Sequence, residues 1–80
     1  MSMIFRYRSM VGTFVICPQT RGCYELHLGD RVLESYRTPE AAAADVCSRT
    51  TGCLDWDGSW EIHDIPRDLS DWEQWQVGRL

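Results

Sequence analysis

The sequence has no lysine and no asparagine, and none of its apolar runs approaches the length of a membrane span. Its eight basic residues are all arginine, which excludes no function by itself. The run MVGTFVIC at residues 10–17 faintly resembles a signal sequence, but it has eight residues, whereas a bilayer-spanning helix needs about 20. Ile16 also stands where a small residue would precede the lipid-modified cysteine of an exported protein. We therefore interpret this run as an interior strand, and expect a cytoplasmic protein with no membrane contact.

Catalytic signatures are missing as well. The chain has no nucleophile elbow, no phosphate-binding loop and no His-Glu zinc helix. A domain of this size buries only about 60–65% of the surface that its unfolded chain exposes, which leaves little room for a deep cleft. A cysteine beside His27 or His63 is the pairing that nucleophilic catalysis would use, but chance alone brings such residues together in a small fold. We expect a protein that is not an enzyme and has no cofactor.

Positive charge is scarce in the second half of the chain. Residues 1–37 carry a net charge of +2, whereas residues 38–80 carry −6, for a total of −4. An acidic chain repels phosphate, so nucleic-acid binding is disfavoured. The arginines of the first half, Arg31 of a predicted strand among them, keep it as an alternative.

Residues 11–36 contain three short segments typical of β-strands. The segments are 11–17, which ends at Pro18, then 23–28, where apolar and polar residues alternate, and 31–36, which follows a Gly29-Asp30 turn. Short turns between them predict an antiparallel meander. Residues 1–10 are either a fourth strand or a loose arm. Strand 11–17 carries apolar residues at both odd and even positions, so both faces of the sheet should be covered there. We expect one main helix on one face and the tryptophan-rich tail on the other.

Residues 38–52 predict that main helix. Thr38 is the expected N-cap, Pro39 the first helical residue, and four alanines follow. Gly52 is expected to end the helix in the left-handed conformation. The side expected to face the sheet consists of Ala43, Val46, Cys47 and Thr50.

Residues 53–80 form an acidic tail that carries all four tryptophans. Ser70 and Glu73 make a capping box, which predicts a short helix from Asp71 to Val77 with Trp72 and Trp75 on one side. The predicted fold is therefore α+β in a single domain spanning residues 1–80: sheet and main helix in 11–52, tail in 53–80.

Two stretches resemble a known group of proteins. YRTPEAAAADV at residues 36–46 contains a Y-x-T-x-E-x-A-A helix start, and IPRDLSDW at residues 65–72 contains P-x-D-L-x-x-W. Together with the strands, they resemble small bacterial proteins of unknown function over residues 12–75. The resemblance implies a compact α+β fold and no activity. A weaker one, to plant-type DNA-binding domains with three strands and one packed helix, implies only an analogous fold.

The four cysteines raise the question of a metal site. Cys17 and Cys23 are separated by five residues, and so are Cys47 and Cys53. Structural zinc sites mostly use two to four intervening residues, so a spacing of five is not diagnostic of zinc. A zinc protein that uses these four thiols is kept as a second alternative. A disulfide between Cys17 and Cys23 would need an oxidising compartment, and we expect free thiols.

The stretch CLDWDGSWE, residues 53–61, combines acids with tryptophans. Asp55 and Asp57 match two positions of a calcium loop, but Cys53 occupies the first position, where calcium prefers oxygen. We therefore expect a turn at Asp57-Gly58 and no metal. Two or three of the tryptophans are expected to pack the tail against the domain, and any that stay exposed would anchor a partner.

We expect a small interaction or accessory module without catalysis. Its unknown protein partner would be basic, to match the acidic tail, and the module itself a monomer or a homodimer joined through an edge strand. The expected contact residues are Trp56, Trp60, Trp72, Trp75, Asp55 and Asp57.

Overall fold

The computed structural model describes residues 2–19, 22–58, 65–66 and 68–77, with the backbone alone at positions 2, 55, 76 and 77. These residues form a five-stranded antiparallel sheet in the order β4-β3-β2-β1-β5, with one main helix, so the α+β class is confirmed. The elements in chain order are β1 (Ser2–Ser9), β2 (Gly12–Pro18), β3 (Tyr24–Leu28), β4 (Arg31–Tyr36), α1 (Pro39–Ser48), α2 (Leu54–Asp57), a 3-10 helix (Leu69–Asp71) and β5 (Glu73–Val77).

The meander contains the three predicted strands and one more before them. Residues 2–9 are strand β1, so the extra-strand alternative is right: Phe5 pairs with Ile16 and Tyr7 with Phe14. The Gly29-Asp30 turn joins β3 to β4 as predicted, and Gly29 takes a positive φ of 61°. The alternation in these strands aims one set of side chains at α1 and the other set away from it.

Helix α1 begins as predicted and ends earlier. The Thr38 hydroxyl accepts a hydrogen bond from the Ala41 N–H at 3.1 Å, and Pro39 is the first helical residue. The helix stops at Ser48 because Arg49 adopts the left-handed conformation (φ 60°, ψ 45°), so the predicted end at Gly52 is wrong. The Thr50 N–H and hydroxyl bind the backbone and side-chain oxygens of Asp45, both at 3.0 Å, and this closes the last turn.

The early end also shifts the packed side of α1. Ala42, Ala43 and Val46 are buried, Cys47 is half-buried, and Thr50 is exposed because it lies beyond the helix. The prediction for Ala43 and Val46 is confirmed, while that for Thr50 is wrong. Small alanines let the helix lie close to the sheet.

The core occupies the face of the sheet that α1 covers. Phe14, Ile16 and Leu26 are fully buried there, and Trp56 packs edge-on against Phe14 with ring centroids 4.9 Å apart. Trp72 reaches the same face, 5.6 Å from the ring of Tyr7. Burying one such indole removes about 150–250 Å² from water, a gross gain of about 4–6 kcal/mol. Trp56 and Trp72 therefore thicken the helix-side core, and the expectation that the tail covers the opposite face is wrong for these two residues.

The last described residues form a different type of secondary structure from the one predicted. A single 3-10 turn spans Leu69–Asp71, and Glu73–Val77 is a strand that pairs with β1, so the predicted helix from Asp71 to Val77 is wrong. The unpaired edge of β1 offers five backbone pairings, which outweigh a local capping signal. In a strand, residues three apart point to opposite faces, so Trp72 enters the core while Trp75 lies on the other side.

Candidate functional site

The face of the sheet opposite α1 carries a continuous row of side chains across all five strands. Pairing places Glu73, Arg6, Val15, His27 and Val32 side by side, from β5 to β4. No helix within the described ranges packs on this side. We call it the open face, formed by Ile4, Arg6, Arg8, Val15, Cys17, Glu25, His27, Val32, Glu73 and Trp75.

One corner of the open face is a contact cluster around Trp75. Trp75 is 51% exposed, and the guanidinium carbon of Arg6 lies 5.3 Å from the centroid of its ring. The indole N–H donates to Glu73 Oε1 at 3.2 Å, and the Arg6 Nε lies 3.8 Å from the same oxygen. A cation–π contact at an exposed site contributes about 0.5–1 kcal/mol, and the exposed ion pair contributes less. Arg6 and Glu73 therefore hold the indole on the surface in a defined orientation.

A second polar group lies across the open face on β3. His27 Nε2 is 3.1 Å from Glu25 Oε1, and both side chains are partly exposed. Register places Cys17 opposite Glu25, and so diagonal to His27. The carboxylate of Glu25, rather than the thiol of Cys17, is the hydrogen-bonding partner that orients the imidazole.

The predicted contact residues separate into different environments. Trp56 is fully buried and donates its indole N–H to the Val46 carbonyl at 2.9 Å, and Trp72 is only 3% exposed. These two belong to the core, so they are not part of the exposed surface. Trp75 is on the surface, Trp60 lies outside the described residues, and of Asp55 only the backbone, within α2, is described.

Asp57 has a structural role that the sequence did not indicate. Its Oδ1 accepts from the Thr51 N–H at 3.0 Å and the Thr51 hydroxyl at 2.9 Å, while Oδ2 accepts from the Gly52 N–H at 2.9 Å. The carboxylate thus ties the end of α2 back to the loop after α1. Both oxygens point inward to the chain's own donors, as in a loop closure.

The four cysteines do not converge. All are free thiols: Cys53 is buried, while Cys17, Cys23 and Cys47 are half-buried. Among the residues that the structure describes, which include all four, no three His, Cys, Asp or Glu side chains are grouped so as to hold a metal ion. The zinc alternative therefore gains no support from the fold.

Tyr36 is the most strongly perturbed titratable group in the described part of the chain. Its hydroxyl donates to Asp45 Oδ2 at 2.7 Å and ties β4 to α1. Burial, and then the hydrogen bond and negative charge of Asp45, raise the pKa of Tyr36 well above its ordinary value. Because the neutral phenol is the form that donates this bond, the pair stabilises the fold and is not poised for acid–base chemistry.

The chain matches no protein-family model, no curated protein and no solved structure. The likeness of residues 36–46 and 65–72 to small bacterial proteins therefore stays a resemblance of motifs. Within the described residues, no helix is long and apolar enough to cross a bilayer.

Proposed function

We propose that this protein is a small non-catalytic interaction module, and that its contact surface is the open face of the sheet, centred on Trp75 and Arg6. The observation that carries the proposal is the exposed indole of Trp75, held at 5.3 Å by Arg6 and hydrogen-bonded to Glu73. Tryptophan and arginine are the residue types most enriched among energetic hot spots of protein interfaces.

The surroundings of Trp75 support this assignment. Ile4 lies directly beside it in register, whereas Val15 and Val32 are farther along the face and are separated from each other by His27. Polar and charged side chains lie between and beside these residues, with Arg6 and Arg8 on β1 and His27 on β3. Protein interfaces as a whole are about as apolar as the rest of a protein surface, so a face on which apolar and polar side chains are interleaved fits this role.

The charge of the open face also narrows the partner. The face carries cations on β1 and the carboxylates of Glu25 and Glu73, so it is mixed. A partner that docks there would present both signs of charge. The purely basic partner expected from the acidic tail would instead bind the helix side, where Glu40, Asp68 and Asp71 are exposed.

The proposal is tested by identifying a bound protein and then comparing variants. Affinity capture with the wild-type chain names the candidate, and calorimetry measures its affinity for W75A, R6A and the control L54A. Leu54 is 86% exposed but belongs to α2, away from the open face. We expect W75A to weaken binding by about 2 kcal/mol or more and L54A to leave it unchanged. Equal affinities for W75A and L54A would remove the open face as the contact surface.

Nucleic-acid binding is the second candidate, and one observation favours it. Arg6 and Arg8 share the open face with an exposed tryptophan, the combination that holds single strands by charge and stacking. Glu73 and Glu25 on the same face oppose it. Fluorescence anisotropy with a labelled single-stranded oligonucleotide decides: no binding at low salt removes this candidate, whereas salt-sensitive binding lost in W75A and R6A would establish it.

A further inference from the structure

We infer that two copies of this chain pair through strand β5, in an antiparallel register centred on Trp75, so that their open faces join into one surface. The inference rests on the proposed function and names the assembly that would perform it. A sheet edge presents alternate N–H and C=O groups that pair readily with another strand. This sheet has two edges, β4 and β5, and they differ.

Strand β4 is the edge less suited to pairing with a further strand. Its register with β3 shifts at Leu33, where an extra residue lies between the pairs Leu26–Glu34 and His27–Val32. Such bulges twist an edge away from further pairing, and charged residues have a similar effect. β4 carries both, since Arg31 and Glu34 are exposed.

Strand β5 has no bulge and, in Glu73, only one charged residue. It pairs with β1 without a register shift from Ser2–Val77 to Arg6–Glu73. Its sequence, Glu-Gln-Trp-Gln-Val, is nearly symmetric about Trp75. In a two-fold antiparallel pairing, Trp75 would face Trp75 of the second copy, Gln74 would face Gln76, and Glu73 would face Val77. No like charges would be opposed, and a directly opposed aromatic pair is among the favourable cross-strand pairs.

The size of the open face gives a reason for pairing. Five strands spaced about 4.8 Å apart, each about six residues long on average, present a patch with a footprint of about 500 Å². A standard protein interface buries about 800 Å² on each partner. One open face is therefore smaller than a standard interface, whereas two faces joined through β5, about 1,000 Å² together, would exceed that size. The joined surface would have the two Trp75 rings at its centre, flanked by Arg6 and Ile4 from each copy.

Because residue 75 of one copy would face residue 75 of the other, substitutions at this position test the register. Sedimentation of the wild-type chain over a range of concentrations is expected to show a monomer–dimer equilibrium. W75A should raise its dissociation constant by about tenfold. W75E and W75R should each be monomeric, because like charges would then face each other. An equimolar mixture of W75E and W75R should recover a heterodimer. Circular dichroism of each variant checks that it is folded.

The matched control is V32E. Val32 is 55% exposed and lies on the same face, but on the β4 edge, so V32E should still dimerise. A dimer that survives W75E and dissociates with V32E would place the interface at β4 and overturn the inference. Failure of the W75E and W75R mixture to dimerise would overturn the register.

A wild-type chain that stays monomeric at its highest soluble concentration would also overturn the dimer. If that monomer still bound its partner through Trp75, the proposed function would stand without the dimer. If the chain dimerised as described but W75A and L54A bound the partner equally, the proposed function would fail alone.

Discussion

Removing the carboxylate of Asp57 should destabilise this protein substantially, although the sequence predicts Asp57 to be a surface contact residue. The D57A substitution removes the acceptor of three hydrogen bonds, two from Thr51 and one from the exposed Gly52. Thr51 is only 4% exposed, so its donors would lose their partner without full access to water. A hydrogen bond to a charged group contributes about 1.5–3 kcal/mol. The Gly52 bond is discounted for exposure, and the two Thr51 bonds share the single oxygen Oδ1 and so are not fully additive; we therefore expect a loss of about 2–4 kcal/mol.

That loss is large on the scale of the molecule. A chain of this length is stable by about 4–12 kcal/mol in total. With an m-value of about 1 kcal/mol/M, the urea midpoint of D57A should fall by about 2–4 M. D57N should fall less, because its amide oxygen can still accept from both Thr51 donors. The control is D71A, which removes an exposed carboxylate that accepts no hydrogen bond from the described residues. If D57A and D71A unfold at the same urea concentration, the loop-closing role of Asp57 is refuted.

Two further predictions concern the C-terminal part of α1, where Asp45 accepts from Tyr36 and Arg49 ends the helix. Because the folded state holds the Tyr36 proton more tightly than the unfolded chain does, this phenol stabilises the fold below the ordinary tyrosine pKa of about 10, and the contribution is lost as pH rises above it. Urea midpoints measured on either side of that pH should therefore decline more steeply for the wild type than for Y36F, and equal declines would contradict the assignment. At Arg49, whose φ is 60°, R49G should be more stable than R49A by about 1 kcal/mol, since both variants lack the side chain and only alanine is strained there. Equal thermal midpoints for R49G and R49A would show that the backbone is not strained.

The parts of the fold that local chemistry determines were predictable. Thr38 and Pro39 specify where α1 begins, and Gly29-Asp30 specifies a hairpin turn, because caps and tight turns depend on residues only a few positions apart. The end of α1 was not predictable in the same way. Asp45 forms hydrogen bonds with both Thr50 and Tyr36, and the second partner is set by the position of β4.

The predicted contact surface was wrong because the segment that contains Trp72 and Trp75 was assigned to a helix instead of a strand. With a helical period, Trp72 and Trp75 share a side, which groups the tryptophans into one surface. With the strand period, the two are on opposite faces, and only one of them is on the surface. Whether residues 73–77 form a helix or a strand depends on the free edge of β1, which lies at the other end of the sequence. Arg6 could not be assigned to the site for the same reason, since it reaches Trp75 only through this pairing.

The position of β5 has a consequence for the order of folding. Strands β1 to β4 pair with strands that are close in the chain, and α1 packs on them soon after β4. In contrast, β5 must close a loop that spans nearly the whole described sequence before it gains any contact with β1. Such closure is slow and comes after local pairing. Until then Arg6 has no indole beside it, and Trp75 has no sheet to lie on. We therefore expect the proposed binding surface to form late in folding, and local unfolding of this one edge strand would remove it while leaving the pairing of β1 to β4 in place.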